Sequence, residues 1–220
     1  MHTTEVPIGY DVLAVNAELA RSNRRNLEKH GITAFNIMGA IGSGKTLLIE
    51  KTIELLGKSC RIGAIAGDVV ARIDAARFEK YGIPVIGLNT GKECHLDAHL
   101  VEHGLFELPL DSLDILFIEN VGNLICPSDY ELGEHKRVVV VSVSEGDDIV
   151  EKHPVIFSTA DLIIVNKIDI ADAVNADADK MVKDAHIINP RIDVLKLSLK
   201  TGEGFDDWID FVKKSIKKKD

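Results

Sequence analysis

The apolar positions of this chain fall in short unbroken runs rather than in strict alternation. "TAFNIMG" at 33–39, "CRIGAIAGD" at 60–68, "IPVIGLN" at 83–89, "LDILFIEN" at 113–120, "RVVVVSVS" at 137–144 and "DLIIVNK" at 161–167 are rich in Val, Ile and Leu and bounded by turn residues. Continuous apolarity of this length suits strands buried on both faces of a parallel sheet. Between several of these runs the spacing turns helical. "YDVLAVNAELARSNRRNLEKH" at 10–30 stops at Gly31, "KTLLIEKTIELLG" closes at Gly57, and "RIDAARFEKYG" follows the second run. The alternation predicts an α/β fold: a doubly wound, mostly parallel sheet flanked by helices, with right-handed crossovers. No repeat, linker or low-complexity segment breaks the pattern. The expected organisation is a helical extension over 1–31 and one domain over 32–220.

"GAIGSGKT" at 39–46 fits GxxxxGK(S/T) and stands between a predicted strand and a predicted helix, the context that motif requires. This makes the domain a P-loop NTPase. Gly39, Gly42 and Gly44 let the backbone turn its N–H groups toward phosphate oxygens, with Ser43 and Leu47 on the same cradle. Lys45 is placed to reach the β- and γ-phosphates, and Thr46 to put its hydroxyl on Mg²⁺. "LFIENVG" delivers Glu119 to the C-terminal end of a strand, where open α/β sheets bind ligands and a carboxylate can hold Mg²⁺. The Gly122 N–H lies where a γ-phosphate could be sensed. Asp68 and Asp74 are both placed to complete the magnesium shell. Spacing does not rank them, and helix capping is the other use of either.

"NKID" at 166–169 follows a buried run and fits NKxD. Asp169 can accept two hydrogen bonds from guanine, a donor pair that adenine lacks, so the expected nucleotides are GTP and GDP. Asn166 braces the loop and the stem of Lys167 can cover the ring. Ser198, Leu199 and Lys200, in "SLKTG", can turn N–H groups toward guanine O6.

"GKECHLDAHLVEH" at 91–103 concentrates Cys94, His95, His99 and His103 in a chain with three cysteines and eight histidines. If 93–106 is helical, the three histidines stand at i, i+4 and i+8. They drift about 40° per step and so share one face, with Cys94 near the helix N-terminus where thiolate is favoured. Imidazole and thiolate suit Ni²⁺ and Zn²⁺. A solvated polar face is the other reading. Cys126 adds a second thiol on the loop that also carries Glu119 and Gly122, which would link nucleotide state to metal affinity in both directions. Cys60 is expected in the core, and His30, His135, His153 and His186 on the surface.

Composition narrows the function. A net charge of −9 and a pI near 5.4 argue against nucleic acid as partner. The basic tail "KKSIKKKD" reads as a solvated helix end. No apolar run approaches the ~18 residues of a membrane span, the N-terminus lacks a secretory pattern, and three scattered cysteines suit the cytoplasm.

In this order "NIMGAIGSGKT", "GD" with "DAAR", "NTGKECHLDA", "FIENVGNLICP" and "ADLIIVNKID" resemble the hydrogenase nickel-incorporation GTPases (HypB), from about residue 15 to the end. The resemblance implies a nucleotide-promoted homodimer that hydrolyses GTP and helps deliver nickel to nickel–iron hydrogenase. Its implied partners are other maturation proteins and the hydrogenase large-subunit precursor. It also implies that Cys94, His95 and Cys126 contribute to a metal site, with neighbouring histidines as further ligands. The N-terminus holds only His2, with no CxxCGC or histidine tract, so a separate N-terminal nickel site is not expected. Asn123, not glutamine, follows Gly122, and only Arg72 and Arg77 lie near the switch, so slow intrinsic turnover is expected. Two alternatives keep some of these features: a GTPase chaperone for urease or a cobalamin enzyme, and a zinc-binding scaffold with structural nucleotide.

Overall fold

The unbroken apolar runs become the middle of a sheet. The computed structural model describes residues 8–68, 72–91 and 93–216; His2, residues 217–220 of the basic tail and the Arg72 side chain lie outside them. In chain order the elements are α1 (Ile8–Lys29), β1 (Thr33–Met38), α2 (Lys45–Leu56), β2 (Ile62–Asp68), α3 (Arg72–Glu79), β3 (Val85–Asn89), α4 (Ala98–Glu107), β4 (Ile115–Glu119) and β5 (Lys136–Ser142). They continue with α5 (Ile149–Lys152), α6 (Pro154–Ser158), β6 (Leu162–Asn166), α7 (Ala178–Ile188), β7 (Asp193–Lys196) and α8 (Phe205–Ser215). The 7-stranded sheet has the order β3-β2-β4-β1-β5-β6-β7, and every pairing is parallel.

Each central strand feeds both faces. On one side Phe35, Ile37, Phe117, Val138 and Val140 pack with α2, α3 and α8. On the other, Val139, Val141, Ile163 and Val165 meet α5–α7, while Ala34, Ile65 and Ile118 meet α1 and α4. Adjacent valines of β5 therefore enter opposite cores, which explains why its run shows no alternation. Trp208 of α8 is fully buried and its indole N–H donates to Thr52 Oγ1 of α2 at 2.8 Å, fixing the P-loop helix to the C-terminal helix.

Helix α1 is clamped to α4 by two asparagines. Asn16 Oδ1 accepts from Ala98 N at 2.8 Å, and Asn23 Nδ2 donates to Ala98 O at 2.8 Å and Leu132 O at 3.0 Å. Strand β7 carries no apolar run and is half exposed at the sheet edge, so its sequence gave no strand signal. Among the described residues no helix is long and apolar enough to cross a membrane.

Candidate nucleotide and metal site

The C-terminal ends of β1, β2, β4, β5 and β6 converge on one edge. Gly44 opens α2 at φ 113, a left-handed geometry that disfavours a side chain, and a Cβ there would strike the Asn166 amide. No side chain caps this helix, so its first N–H groups are free to face an anion. Gly39, Gly42 and the buried Ser43 complete the cradle, whereas Leu47 is exposed. Lys45 is buried at 6% exposure and donates from Nζ to Gly39 O and Ala40 O, each at 3.0 Å. Burial lowers its pKa, opposed by Glu119, Glu145, Asp74 and Asp68, which places all four carboxyls around this ammonium.

Thr46 Oγ1 donates to Glu119 Oε1 at 2.6 Å. Glu119 is 5% exposed, and its Oε2 has no protein partner. Burial pushes this carboxyl up to about 7 against the opposing Thr46 hydrogen bond and the Lys45 charge. A buried oxygen without a donor, beside a hydroxyl and two more carboxylates, fits a divalent cation. Asp74 is raised by burial and by Asp68, so the two acids face the same space and neither takes clear precedence. Arg77 does not hang free as a finger: its guanidinium pairs with Glu50 of α2.

Asn166 knits the nucleotide loops together. Its Nδ2 donates to Ser43 O at 2.8 Å, while its Oδ1 accepts from Lys167 N at 2.7 Å and Leu199 N at 3.2 Å. Lys167 sits at φ 63. Asp169 Oδ1 accepts the Ser198 hydroxyl at 2.6 Å, and Ser198 Oγ accepts from Thr201 N at 3.1 Å. Lys200 lies 4.0 Å from Asp169 with an exposed side chain. From sequence Glu145 went unnoticed. It follows β5, accepts from Ser142 N at 2.9 Å, and its carboxyl is raised by burial against Lys167 and Lys45. The signal was an acid just beyond the valine run.

The metal-ligating residues divide. Cys94, His95 and Cys126 each offer a ligand atom, all within 4.8 Å of one another. Cys94 Sγ donates to Cys126 Sγ 2.6 Å away, and this contact is the first cause that raises the Cys94 pKa. The expected helix over 93–106 is corrected. Helix α4 begins at Ala98, because Asp97 caps it by accepting from Leu100 N at 2.8 Å. Cys94 and His95 therefore lie on the preceding loop, and His95 stacks on Tyr130 with ring centroids 3.9 Å apart. His99 and His103 do share a helix face, with their Nε2 atoms 3.3 Å apart, but they stand outside the three-residue cluster. His135 is corrected as well. Its side chain is 7% exposed and its Nδ1 accepts from Ala34 N at 3.0 Å. Cys60 lies just before β2, partly buried against the core.

A phosphate cradle on β1, acids at the ends of β2 and β4 and a second loop on β6 braced to that cradle define a P-loop nucleotide-binding protein. The family profile "CobW/HypB/UreG, nucleotide-binding domain" matches residues 33–196. The probable hydrogenase maturation factor HypB of Methanocaldococcus jannaschii is 61% identical over 218 residues, covering 99% of each chain. The chain belongs to the HypB family of hydrogenase maturation factors. The crystal structure of HypB from Archaeoglobus fulgidus superposes with TM-score 0.87 at 56% identity, covering 91% of this chain and 98% of that one. The structure of HypB from Helicobacter pylori in complex with nickel gives 0.86 at 33% identity, covering 90% and 94%.

Proposed function

We propose that this protein is a GTP-hydrolysing metallochaperone that supports nickel insertion during maturation of nickel–iron hydrogenase. One observation carries the reading. The thiol of Cys126, part of a three-ligand cluster, rides the loop that begins at Glu119, the buried acid hydrogen-bonded to Thr46. A change at the γ-phosphate is thereby adjacent in the chain to a change at the metal.

Lys45 exchanges its bonds to Gly39 O and Ala40 O for β- and γ-phosphate oxygens. Thr46 and Glu119 hold Mg²⁺, with Asp68 or Asp74 in support; the ion, when bound, offsets charge on the phosphates. The Gly122 N–H meets the γ-phosphate. Asp169 reads guanine, Lys167 covers its face, and Ser198, Leu199 and Lys200 close over O6. Asn166 holds these parts in register. Catalysis is positioning and charge stabilisation; with Asn123 where a glutamine would orient water and Arg77 paired with Glu50, turnover by the isolated chain is slow.

The cargo is Ni²⁺, with Zn²⁺ as competitor, bound by Cys94, His95 and Cys126. His99 and His103 are the additional ligands from which four-coordination is completed, within one chain or across a homodimer promoted by nucleotide. Partners are other hydrogenase maturation proteins and the large-subunit precursor. Nucleic acid and membrane are not partners, and the compartment is the cytoplasm. Residues 32–220 form the GTPase unit, with 1–31, helical over Ile8–Lys29, as its extension.

Nickel and zinc titration of wild type and the Cys94→Ala/Cys126→Ala variant, each with GDP and with a non-hydrolysable GTP analogue, tests this. The variant is expected to lose most nickel binding while keeping GTP binding. Unchanged nickel affinity in the variant would remove the cluster from the function.

A further inference from the structure

The residue after Gly122 is Asn123 rather than a water-orienting glutamine, and its side-chain amide is committed to backbone groups of the cysteine-bearing loops. The backbone of Asn123 forms an isolated antiparallel bridge with Gly39, the first residue of the phosphate cradle. Its Nδ2 donates to Cys94 O at 3.3 Å, and its Oδ1 accepts from Ile125 N at 2.9 Å, one residue before Cys126. One side chain thus touches both strands of chain that carry the thiols, while its backbone is tied to the P-loop. A second contact to the P-loop lies behind it. Gly122 runs directly alongside Ile41 of the P-loop: a Cβ added to Gly122 would strike Ile41 Cγ1 and lie 3.1 Å from its N, so the two backbones are in close approach.

A second asparagine holds the opposite end of the cysteine loop. Asn120 is 1% exposed. Its Oδ1 accepts from Leu96 N at 3.1 Å and Val121 N at 2.9 Å, and its Nδ2 donates to Asn36 Oδ1 of β1 at 3.2 Å. Asn36 in turn donates to Glu134 Oε1 at 3.2 Å. Leu96 is therefore anchored to the core and Glu93 is held by Thr90, while the Cys94 carbonyl between them is bound by Asn123. A shift of Asn123 relative to this anchor would turn Cys94 about Leu96 and so alter its spacing from Cys126.

We propose that Asn123 is the positioning residue that transmits nucleotide state to the metal cluster, acting through its amide bond to the Cys94 carbonyl rather than on water. The inference rests on the nickel–GTP reading above and names the regulating contact of that site. Asn123→Asp isolates the bond: the shape and the acceptor for Ile125 N stay, but no hydrogen remains for Cys94 O.

The test is nickel titration of the full chain with GDP and with the non-hydrolysable GTP analogue, in wild type, Asn123→Asp and Asn123→Ala. The readout is the ratio of the two nickel affinities. It is internal to each variant, so uniform damage to the site leaves it unchanged. Coupling of ordinary strength gives wild type a ratio of about five-fold or more, and both variants are expected to fall within about two-fold of unity. Variants that keep the wild-type ratio, whether or not nickel binds more weakly in both states, overturn the assignment to Asn123 and leave the metallochaperone reading standing. A wild type with equal nickel affinity in both states overturns the transmission itself, whatever the variants do.

Discussion

Asn166→Ala should cost the nucleotide-free protein about 3 kcal/mol. The side chain makes three bonds to backbone groups, on Ser43, Lys167 and Leu199. Ser43 is 0% exposed and Leu199 2%, so truncation leaves a carbonyl and an N–H without partners in the interior. Each such orphan costs about 1–3 kcal/mol, and a water admitted into the vacated space returns part of that. At a urea dependence of roughly 2 kcal/mol per molar, the unfolding midpoint drops by more than about 1 M. Equilibrium urea unfolding in chelator, without nucleotide, measures it. Asn166→Asp separates the two ends of the group. It keeps both acceptor bonds but sets an oxygen against Ser43 O. Its stability should fall at least as far as that of the alanine variant, since a buried carboxylate then faces the Ser43 carbonyl. Its GDP affinity should fall by about ten-fold or more, near the alanine value, because only the bond to the cradle is lost in both. A midpoint loss below about 1 kcal/mol equivalent for Asn166→Ala, or wild-type GDP binding by Asn166→Asp, would refute the brace.

Asp169→Asn should exchange guanine for xanthine preference by about a hundred-fold, since the amide can donate to the carbonyl that replaces the guanine amine; ATP competing as well as GTP against wild type would remove the base-site assignment. Lys45→Ala should abolish GTP turnover with the fold intact, and parental turnover in a phosphate-release assay would discard the P-loop role. Glu119 titrates at about 7 in the folded chain against an ordinary 4.5, so the folded state holds the extra proton between those values. Its contribution is therefore fully present below 4.5 and is lost as pH rises through 7, by about 3 kcal/mol in all. Urea unfolding in chelator from pH 5 to 8.5 should show wild type falling relative to Glu119→Gln, and parallel profiles would contradict the burial cause.

Local chemistry was legible in the sequence where the chain itself supplies the geometry. The cradle of Gly39–Thr46 and the loop of Asn166–Asp169 are contiguous, and both fall at strand ends as expected. The sheet was legible because strands buried on two faces leave unbroken valine and isoleucine. What escaped notice depends on distant partners. Asn120 meets Leu96 and Asn36 across 24 and 84 residues, and His135 meets Ala34 across 101. Nothing near Asn120 or His135 in the chain marks them as buried. The histidine helix starts later than its histidine spacing suggests, for a local reason: an Asp before an apolar periodic run is a helix start signal, and Asp97 is that cap. That single cap moves Cys94 and His95 from a helix face to a loop, where they can turn toward Cys126.

The strand order has a consequence for how this protein is made. β1 is translated before every other strand, yet it lies between β4 and β5, pairing with Ile115–Glu119 on one edge and Lys136–Val139 on the other. The helix ahead of it fares no better: Asn16 finds the Glu131 carbonyl only 115 residues later. A nascent chain still short of β5 therefore carries, with an open edge, a strand that the finished fold buries along its whole length, the kind of surface that recruits other chains. Closure must wait until well over half the polypeptide has left the ribosome. Contacts this distant make closure slow, which lengthens the time for which that edge stays open.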